Sequence, residues 1–503
     1  MNQIKTGAII SYAALFLNIV IGLLYTPWMI NTIGKADYGL YTLAMSVISL
    51  FVFDFGLGSA ITRFVSKYLA ENRPDKIDGL LGLVFKLYLI GDIIILSSLA
   101  IIYVFLPSLY QGLSPDDMDK FKIVYIIASL FCVISFPFIP LNGIITAYEK
   151  FIQLKSCDLL HKVIIVVLMT TCLLMGGGLY ALVIVNSIAG IVIIIMKLAI
   201  LGKTKIMSIR WTYWDKTLLK SILFFSIWIT VIQLAQRCIF NIAPSILAIY
   251  ASSATISILG IAITLEGYTF SFANAINGMF LPRVSRMVTN DNREEILSLM
   301  TRIGRIQIYI IGLICVGFIC VGQEFITVWL GESYKEVYTC ALLIILPSFF
   351  QLPQEIGNTT VVAEGKVKLQ AFAYIIMAGV NLALAFPMTK YYGVSGLCTS
   401  IMIAYIVRTV AMDIIFFKVL HINIFTFFKN SYIKILPAIM ISIAVTLLAK
   451  HFVTIDNWIG FLCKSIICVL VYISCIWFLA FNKDEKSLII KSMKQIILWK
   501  HTS

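Results

Sequence analysis

The chain contains 503 residues, of which 60% are hydrophobic and only 13% are charged, and its formal net charge is +14. Soluble domains contain roughly 45 to 50% apolar and about 25% charged residues, so this composition excludes a soluble protein and indicates many membrane spans. The basic residues lie in short segments between hydrophobic runs and form no basic domain, so we expect no nucleic-acid partner.

Fourteen hydrophobic runs of about 20 residues follow one another along the chain and predict transmembrane helices. The first six runs cover 9–30, 40–62, 82–106, 122–146, 157–175 and 179–201. The next six cover 220–246, 254–280, 304–322, 338–362, 370–388 and 393–416, and the last two cover 432–449 and 458–481. The sequence therefore predicts an all-α polytopic membrane protein with about fourteen transmembrane helices.

The first twelve spans resemble two copies of one six-helix unit. Short matches recur in order about 215 to 221 residues apart, for example Tyr88 with Tyr309 and Asn142 with Asn358. Duplicated helix bundles are typical of transporters. Because each copy has an even number of spans, both copies should enter the membrane from the same side, as a parallel duplication.

These patterns divide the chain into five predicted regions. They are an N-terminal lobe (1–202), a cytoplasmic linker (203–219), a C-terminal lobe (220–417), an extra helix pair (418–482) and a cytoplasmic amphipathic tail (483–503). The linker carries Trp211, Tyr213 and Trp214 beside basic residues, a composition typical of the membrane interface. Apolar and basic residues alternate at helical spacing in the tail, which favours a helix lying on the membrane surface.

Positive charges predict the orientation in the membrane. If the N-terminus is inside, 29 Lys and Arg residues fall in cytoplasmic segments and six in outer ones. Basic residues near span ends are retained in the cytoplasm, so this ratio predicts that both termini are cytoplasmic. We expect a multi-pass protein of the bacterial cytoplasmic (inner) membrane, with anionic lipids as secondary partners.

Residue clusters typical of enzymes are scarce. Asp116, Asp117 and Asp119 form the one acidic cluster similar to a metal-binding pattern, but they follow Ser114 and Pro115. Ser-Pro-Asp-Asp is a common helix start, which is the interpretation that we prefer. We therefore expect no enzymatic activity, no metal and no cofactor, with transport coupled to an H⁺ or Na⁺ gradient or to the membrane potential.

Polar side chains deep within spans mark the predicted substrate site. Such residues are costly against lipid and usually face the interior of a bundle, so we interpret them as the lining of a hydrated cavity between the two lobes. They are Gln233, Gln236, Arg237 and Asn241 in the seventh span, Gln351, Gln354, Glu355 and Asn358 in the tenth, and Asn18 near the position equivalent to Arg237 in the first copy.

Two interpretations of Arg237 are open. Its planar guanidinium is well suited to bind a phosphate by two parallel hydrogen bonds, which favours a substrate contact. Alternatively, Arg237 forms a structural ion pair with Glu266 or Glu355. The acids Glu266, Asp54 and Asp92 lie within spans and are candidates for ion coupling, although a purely structural role is equally compatible with their positions.

Two segments resemble a known family. They are residues 34–41, Gly-Lys-Ala-Asp-Tyr-Gly-Leu-Tyr, and residues 54–63, Asp-Phe-Gly-Leu-Gly-Ser-Ala-Ile-Thr-Arg. Both are similar to the start of Wzx-type polysaccharide (O-antigen repeat-unit) flippases of the multidrug/oligosaccharidyl-lipid/polysaccharide exporter superfamily. That family also has two six-helix lobes and an added helix pair, so the resemblance covers essentially the whole chain.

The resemblance implies a specific function. The expected substrate is an undecaprenyl-pyrophosphate-linked oligosaccharide, moved across the cytoplasmic membrane by alternating access of the two lobes for cell-surface polysaccharide biosynthesis. Other membrane proteins of polysaccharide assembly are possible partners. Relatives with anionic cargo tend to have strongly cationic cavities, whereas the deep charges here are mixed: Arg237 and Arg408 against Asp54, Asp92, Glu266, Glu355 and Asp413.

Two other functions compete with this one. A cation-coupled drug antiporter of the same superfamily would use Glu266 and Asp54 as coupling acids. A membrane polysaccharide polymerase or glycosyltransferase would be expected to have a larger outer loop or a catalytic acidic motif, for which only the segment 116–119 is a candidate.

Overall fold

The described chain consists of helices joined by short turns. A computed structural model describes residues 2–52, 54–203, 209–277, 280–453, 457–483 and 485–487, and these ranges contain no β-strand. The α-helices, numbered α1 to α20 in chain order, are Asn2–Ile33, Lys35–Phe51, Leu57–Ala70, Pro74–Leu109, Pro115–Ser135, Pro140–Ala147, Phe151–Leu174, Leu179–Lys203, Lys216–Phe240, Ala243–Tyr250, Ser253–Asn277, Leu281–Thr289, Arg293–Leu330, Glu336–Ile345, Ser348–Gln351, Glu355–Ala363, Val367–Lys418, Ile424–Phe428, Lys434–Lys450 and Trp458–Cys475. Short 3-10 turns lie at Phe136–Phe138, Glu332–Tyr334 and Leu352–Gln354, and π-helical turns at Lys429–Ile433 and Ile476–Ala480.

Eleven helical segments of the described chain are long and apolar enough to cross a membrane, judged by length and composition. A shorter apolar segment, Ile19–Ile33, forms the C-terminal part of α1. Large apolar side chains such as Ile93 on α4 and Phe224 on α9 are exposed, as expected where the surrounding medium is lipid. The prediction of an all-α multi-pass membrane fold is confirmed, and the count of fourteen spans stays a prediction.

Two predicted spans, 370–388 and 393–416, fall within the single helix α17, which is 52 residues long. The backbone at Gly393 is not helical, with φ of 60° and ψ of −142°, so the helix is kinked there. Glycine adopts this left-handed φ at little cost because it has no Cβ atom. The turn predicted between these two spans is therefore present as a kink.

The second predicted span, 40–62, is interrupted. α2 ends at Phe51 and α3 begins at Leu57, and between them Phe55 and Gly56 adopt positive φ values of 49° and 67°. A break of this kind leaves backbone carbonyl groups without their helical partners, which is costly inside a membrane unless other groups bind them. The hydrophobic pattern of the sequence predicted one uninterrupted helix here, and in this respect it was wrong.

The chain divides into two compact units. The first unit comprises Met1–Thr264 and Val367–Arg408, and the second comprises Leu265–Lys366 and Thr409–Ser503. Both units are discontinuous in sequence, because α11 and α17 each pass from one unit to the other. The boundaries of the two predicted lobes, the helix pair and the tail stay predictions, and most of the tail, 488–503, lies outside the described residues.

In the first unit, α3 packs on α6, α2 packs on α5 and α7 packs on α8. The described part of the predicted linker lies against the start of α4, where the Arg210 N–H donates to the Asp78 carbonyl at 3.1 Å and Lys86 Nζ donates to the Tyr213 carbonyl at 3.0 Å. In the second unit, the long helix α13 is central and packs on α14, α16, α19 and α20.

Candidate functional site

The break between α2 and α3 in the second span is stabilised by hydrogen bonds of its own residues. The Asp54 carboxylate accepts the Gly56 N–H at 2.6 Å, and the Asp54 carbonyl accepts the Leu57 N–H at 2.8 Å. Tyr88 Oη on α4 also donates to the Asp54 carbonyl, at 3.0 Å. Asp54 thus starts α3 by hydrogen-bonding the backbone two residues on, which is a common role of Asp in turns.

Side chains of α9 bind the carbonyl groups around this break. Ser226 Oγ donates to the Gly56 carbonyl at 3.2 Å, and Thr230 Oγ1 donates to the Phe55 carbonyl at 2.5 Å. Residues 226 and 230 are four positions apart and lie on one face of the helix. Neither hydroxyl stands out in the sequence, because Ser and Thr within a span are common and each can also bond to its own helix.

Arg237 continues the same series of contacts. Its Nη1 donates to the Ser49 carbonyl near the end of α2, and it is half-buried. The Asp54 carboxylate, three residues after the end of α2, is the negative charge that attracts it. Within the first unit Arg237 therefore binds the broken helix, and its contact with substrate stays a prediction.

The other polar residues of the seventh span are brought together only in part. α9 ends at Phe240 and Asn241 follows as its C-terminal cap, so Asn241 lies at a helix end and not in mid-helix. Gln233 and Gln236 are half-buried on α9, and Gln236 Nε2 donates to Tyr374 Oη at 3.4 Å. The side chain of Asn18 lies outside the described residues.

A buried arginine, Arg408, shares the partner Tyr374 with Gln236. Arg408 on α17 is 2% exposed, its Nη2 donates to Tyr374 Oη at 2.7 Å, and its guanidinium lies 4.6 Å from the centre of the Tyr374 ring. Such an arrangement stabilises a cation away from water. The sequence indicated Arg408 as a deep charge, but the tyrosine on the preceding part of α17 could only be found from the structure.

The polar residues of the tenth span lie on a broken helix in the second unit. Pro347 and Pro353 divide this segment into α15, a 3-10 turn and α16. Gln351, Gln354 and Asn358 are buried, with Gln354 only 2% exposed, and Glu355 accepts a hydrogen bond of 2.7 Å from Asn358 Nδ2.

Three atoms of this broken segment have no hydrogen-bond partner within the described part of the chain. They are Gln351 Oε1, Gln354 Nε2 and Asn358 Oδ1. Buried polar atoms in native proteins nearly always bind protein, water or a ligand, so these three have the capacity to bind water or a polar ligand. Their assignment to a substrate cavity stays a prediction.

The three candidate coupling acids lie on different elements. Glu266 is 7% exposed on α11, Asp92 is half-buried on α4, and Asp54 lies in the break. Among the described residues, none of these acids forms a salt bridge. Asp92 Oδ1 is buried and has no hydrogen-bond partner in the same ranges. Their role in ion coupling stays a prediction.

The acidic segment 116–119 starts a helix. α5 begins at Pro115, and Ser114 Oγ accepts the Asp117 N–H at 3.2 Å. Asp117 Oδ2 in turn accepts a hydrogen bond of 2.8 Å from Ser253 Oγ. The interpretation of this segment as a helix start is confirmed.

We expect Asp54→Asn to preserve the fold and Asp54→Ala to weaken it. The Asn Oδ1 can accept the same Gly56 N–H, whereas Ala leaves that group unbound, which costs about 1 to 3 kcal/mol. Protein levels in membranes and thermal melting in detergent measure the difference. If Asp54→Asn melts as early as Asp54→Ala, stabilising the turn is not the role of Asp54. If Asp54→Asn folds normally but abolishes transport, Asp54 acts in ion coupling.

The helices described above define the class as an all-α, multi-pass membrane protein with buried polar groups. Residues 4–288 match the family model described as polysaccharide biosynthesis protein. This match covers more than half of the chain, and the chain belongs to that family. The resemblance to Wzx-type flippases that the sequence indicated is thereby confirmed.

Solved structures show the same fold. The lipid II flippase MurJ in an inward closed conformation is similar with a TM-score of 0.68 and 18% identity, over 93% of this chain and 98% of that one. An inward-facing multidrug resistance transporter of the MATE family and MOP superfamily is similar with a TM-score of 0.65 and 12% identity, over 80% of this chain and 96% of that one.

One curated relative is similar over a short segment. It is the "Putative O-antigen transporter" of Shigella dysenteriae, which is 29% identical over 90 residues. The matched segment is 18% of this chain and spans 23% of that relative's length.

Proposed function

We propose that the protein is a flippase that moves lipid-linked oligosaccharide repeat units, carried on undecaprenyl pyrophosphate, across the cytoplasmic membrane. The observation that carries the proposal is that a member of the polysaccharide biosynthesis family shares its fold, over 93% of its length, with a flippase of lipid II. The protein thus combines a link to polysaccharide synthesis with a fold known to move a lipid.

Polar groups within the spans support this substrate class. The hydroxyl groups of a sugar must exchange water for other hydrogen-bond partners on the way through a membrane, because unpaired polar groups are costly there. Gln351, Gln354 and Asn358 retain buried atoms able to form such bonds, and Gln233 is half-buried on α9. The lipid tail of the substrate can remain in the bilayer throughout.

The proposal includes the setting and the driving force. Both termini lie in the cytoplasm, the two lobes alternate in exposing the substrate path, and an ion gradient or the membrane potential supplies the free energy. Glu266, Asp54 and Asp92 are the residues that we propose for ion coupling, because each is a carboxylate within or beside a predicted span and without a salt bridge to any described residue.

A clean deletion of the gene tests the proposal. Cells that lack the protein should accumulate lipid-linked repeat units on the inner leaflet and lose surface polysaccharide, and the wild-type gene should restore both. Normal surface polysaccharide in the deletion strain would refute the proposal. Export of small cationic dyes from proteoliposomes, abolished by Glu266→Gln, would instead establish a drug antiporter.

If Arg237 contacts the substrate as proposed, Arg237→Ala removes a charge-assisted hydrogen bond to it that is worth about 1.5 to 3 kcal/mol. Transport should then fall about tenfold or more while membrane levels of the protein stay near normal. Arg237→Lys keeps the charge but loses the planar fork, so we expect an intermediate rate. The measurement is the amount of surface polysaccharide relative to the amount of protein in the membrane. Disappearance of the Arg237→Ala protein itself would show that the residue mainly stabilises the fold.

A further inference from the structure

A polar pocket of about 810 Å³ lies within the second unit, beside the first turns of α13. α13 contains 38 residues and is therefore about 57 Å long, much longer than the roughly 30 Å hydrocarbon core of a bilayer. Its first turns carry Arg293 and Arg302, and by the positive-inside rule they lie on the cytoplasmic side. The pocket is thus placed where a substrate made in the cytoplasm would first meet the protein.

The strongest charges of the pocket are already paired. Arg305 is 2% exposed and holds Glu485 through two hydrogen bonds, Nε to Oε1 at 2.7 Å and Nη2 to Oε2 at 2.9 Å. Arg305 also donates to the carbonyl groups of Asn430 and Ala480, at 2.9 and 2.7 Å. These bonds engage four of the five guanidinium N–H groups, and Arg305 has little capacity left for an added anion.

Glu485 is held as a carboxylate. Burial by itself raises its pKa, but the hydrogen bonds from Arg305 and from the Asn482 N–H outweigh burial and leave the pKa below its usual value. The two other charged residues of the wall, Glu294 and Arg302, have opposite signs. The formal charges of the described lining residues therefore cancel.

The rest of the wall consists of groups that both donate and accept hydrogen bonds. They are the hydroxyls and amides of Ser298, Thr301, Thr426, Asn430, Asn482 and Ser487. Leu297 is the one apolar residue that lines the pocket within the described ranges. The one cation of the wall without an ion-pair partner among the described residues is Arg302, and Glu294 on the same wall offsets its charge. By residue type, hydrogen-bonding groups without net charge thus predominate in the described lining.

We propose that this pocket binds the uncharged, hydroxyl-rich sugar residues of the substrate on the cytoplasmic side before translocation. This inference rests on the proposed function and names the chemistry that a first binding site would recognise. Sugar hydroxyls donate and accept hydrogen bonds equally well, as do the Ser, Thr and Asn side chains of the wall. The volume lies within the range of about 300 to 1,000 Å³ typical of small-molecule sites.

Filling the pocket tests the inference. Ser298 is exposed on α13, so Ser298→Trp should occupy the cavity without disturbing the core. Asn482→Trp fills it from the C-terminal segment and serves if the first variant folds poorly. The matched control is Ile306→Trp, a replacement at an exposed position of α13 outside the pocket lining.

The probe is the oligosaccharide released by mild acid from the surface polysaccharide of the host strain, and its binding to the full-length protein in detergent is measured by saturation-transfer NMR. We expect binding to wild type and to Ile306→Trp, and at least about tenfold weaker binding to the pocket-filling variants. Inorganic pyrophosphate should not compete. Unchanged binding to both pocket-filling variants, or displacement of the sugar by pyrophosphate, would overturn the inference.

Complementation of the deletion strain distinguishes a failure of this inference from a failure of the proposed function. If the deletion strain accumulates unflipped repeat units but both pocket-filling variants restore full surface polysaccharide, the pocket is not a loading site and the flippase function stands. If the deletion strain accumulates none, the proposed function fails, and this inference fails with it. Reduced polysaccharide in the pocket-filling variants, with the Ile306→Trp control at the wild-type level, supports both.

Discussion

Arg305→Met should lower the free energy of unfolding by about 3 to 5 kcal/mol, which is the usual cost of removing one partner of a buried ion pair. Glu485 has only 17% of its side chain exposed and would remain as a carboxylate without its cation. The carbonyl groups of Asn430 and Ala480 would also lose a donor. A loss of this size is a large fraction of the stability of a typical domain, so little of this variant should accumulate in membranes.

Thermal melting of the detergent-solubilised protein measures this loss, with the double variant Arg305→Met/Glu485→Leu as the matched control. Two apolar residues in place of a buried pair are often close to neutral, so the double variant should melt well above Arg305→Met alone. A double variant no more stable than the single one would show that the bonds from Arg305 to backbone carbonyls matter more than its pairing with Glu485.

Gly39→Ala should destabilise the first unit, because a Cβ atom at this position of α2 would overlap the Ser253 carbonyl oxygen at the start of α11. The obstacle is backbone, which cannot move aside as the end of a flexible side chain can. Forcing extra atoms into a packed contact typically costs about 1 to 3 kcal/mol, and the closeness of this approach favours the upper end. Membrane levels and melting temperature should both fall.

Gly379→Ala is the control for this prediction. Gly379 lies in α17, in the same unit, and a Cβ atom there would have nothing within 4 Å. Ala is favoured over Gly within a helix by roughly 0.5 to 1 kcal/mol, so this variant should be as stable as wild type or more so. Equal stability of the Gly39→Ala and Gly379→Ala variants would contradict the close contact between α2 and Ser253.

The Gly39 contact also explains part of the family resemblance. Gly39 belongs to the segment 34–41, and Asp37 of the same segment pairs with Lys120 on α5, with 2.9 Å between Asp37 Oδ1 and Lys120 Nζ. The second segment, 54–63, contains the break that Asp54 closes. Residues of both segments thus serve helix packing. The two segments therefore identify the fold more clearly than the substrate.

The amino-acid sequence by itself determined the class of fold and the approximate positions of most spans. A membrane span needs about 20 apolar residues in succession, and such a run can be recognised from the local sequence alone. The same local signal failed within the run 40–62, where α2 ends at Phe51 and α3 begins only at Leu57. The helix break depends on hydroxyl groups of α9, some 170 positions away in sequence, which bind the exposed carbonyls.

The partners of the deep polar residues were decided only by the tertiary structure. The sequence indicated that Arg237 needs an acceptor and suggested Glu266 or Glu355 or the substrate, and within the first unit the structure adds a backbone carbonyl, that of Ser49. Every residue carries such a carbonyl, so sequence alone has no means to single one out. Likewise, Arg305 and Glu485 are 180 residues apart, and only the packing of α13 against the C-terminal segment brings their opposite charges together.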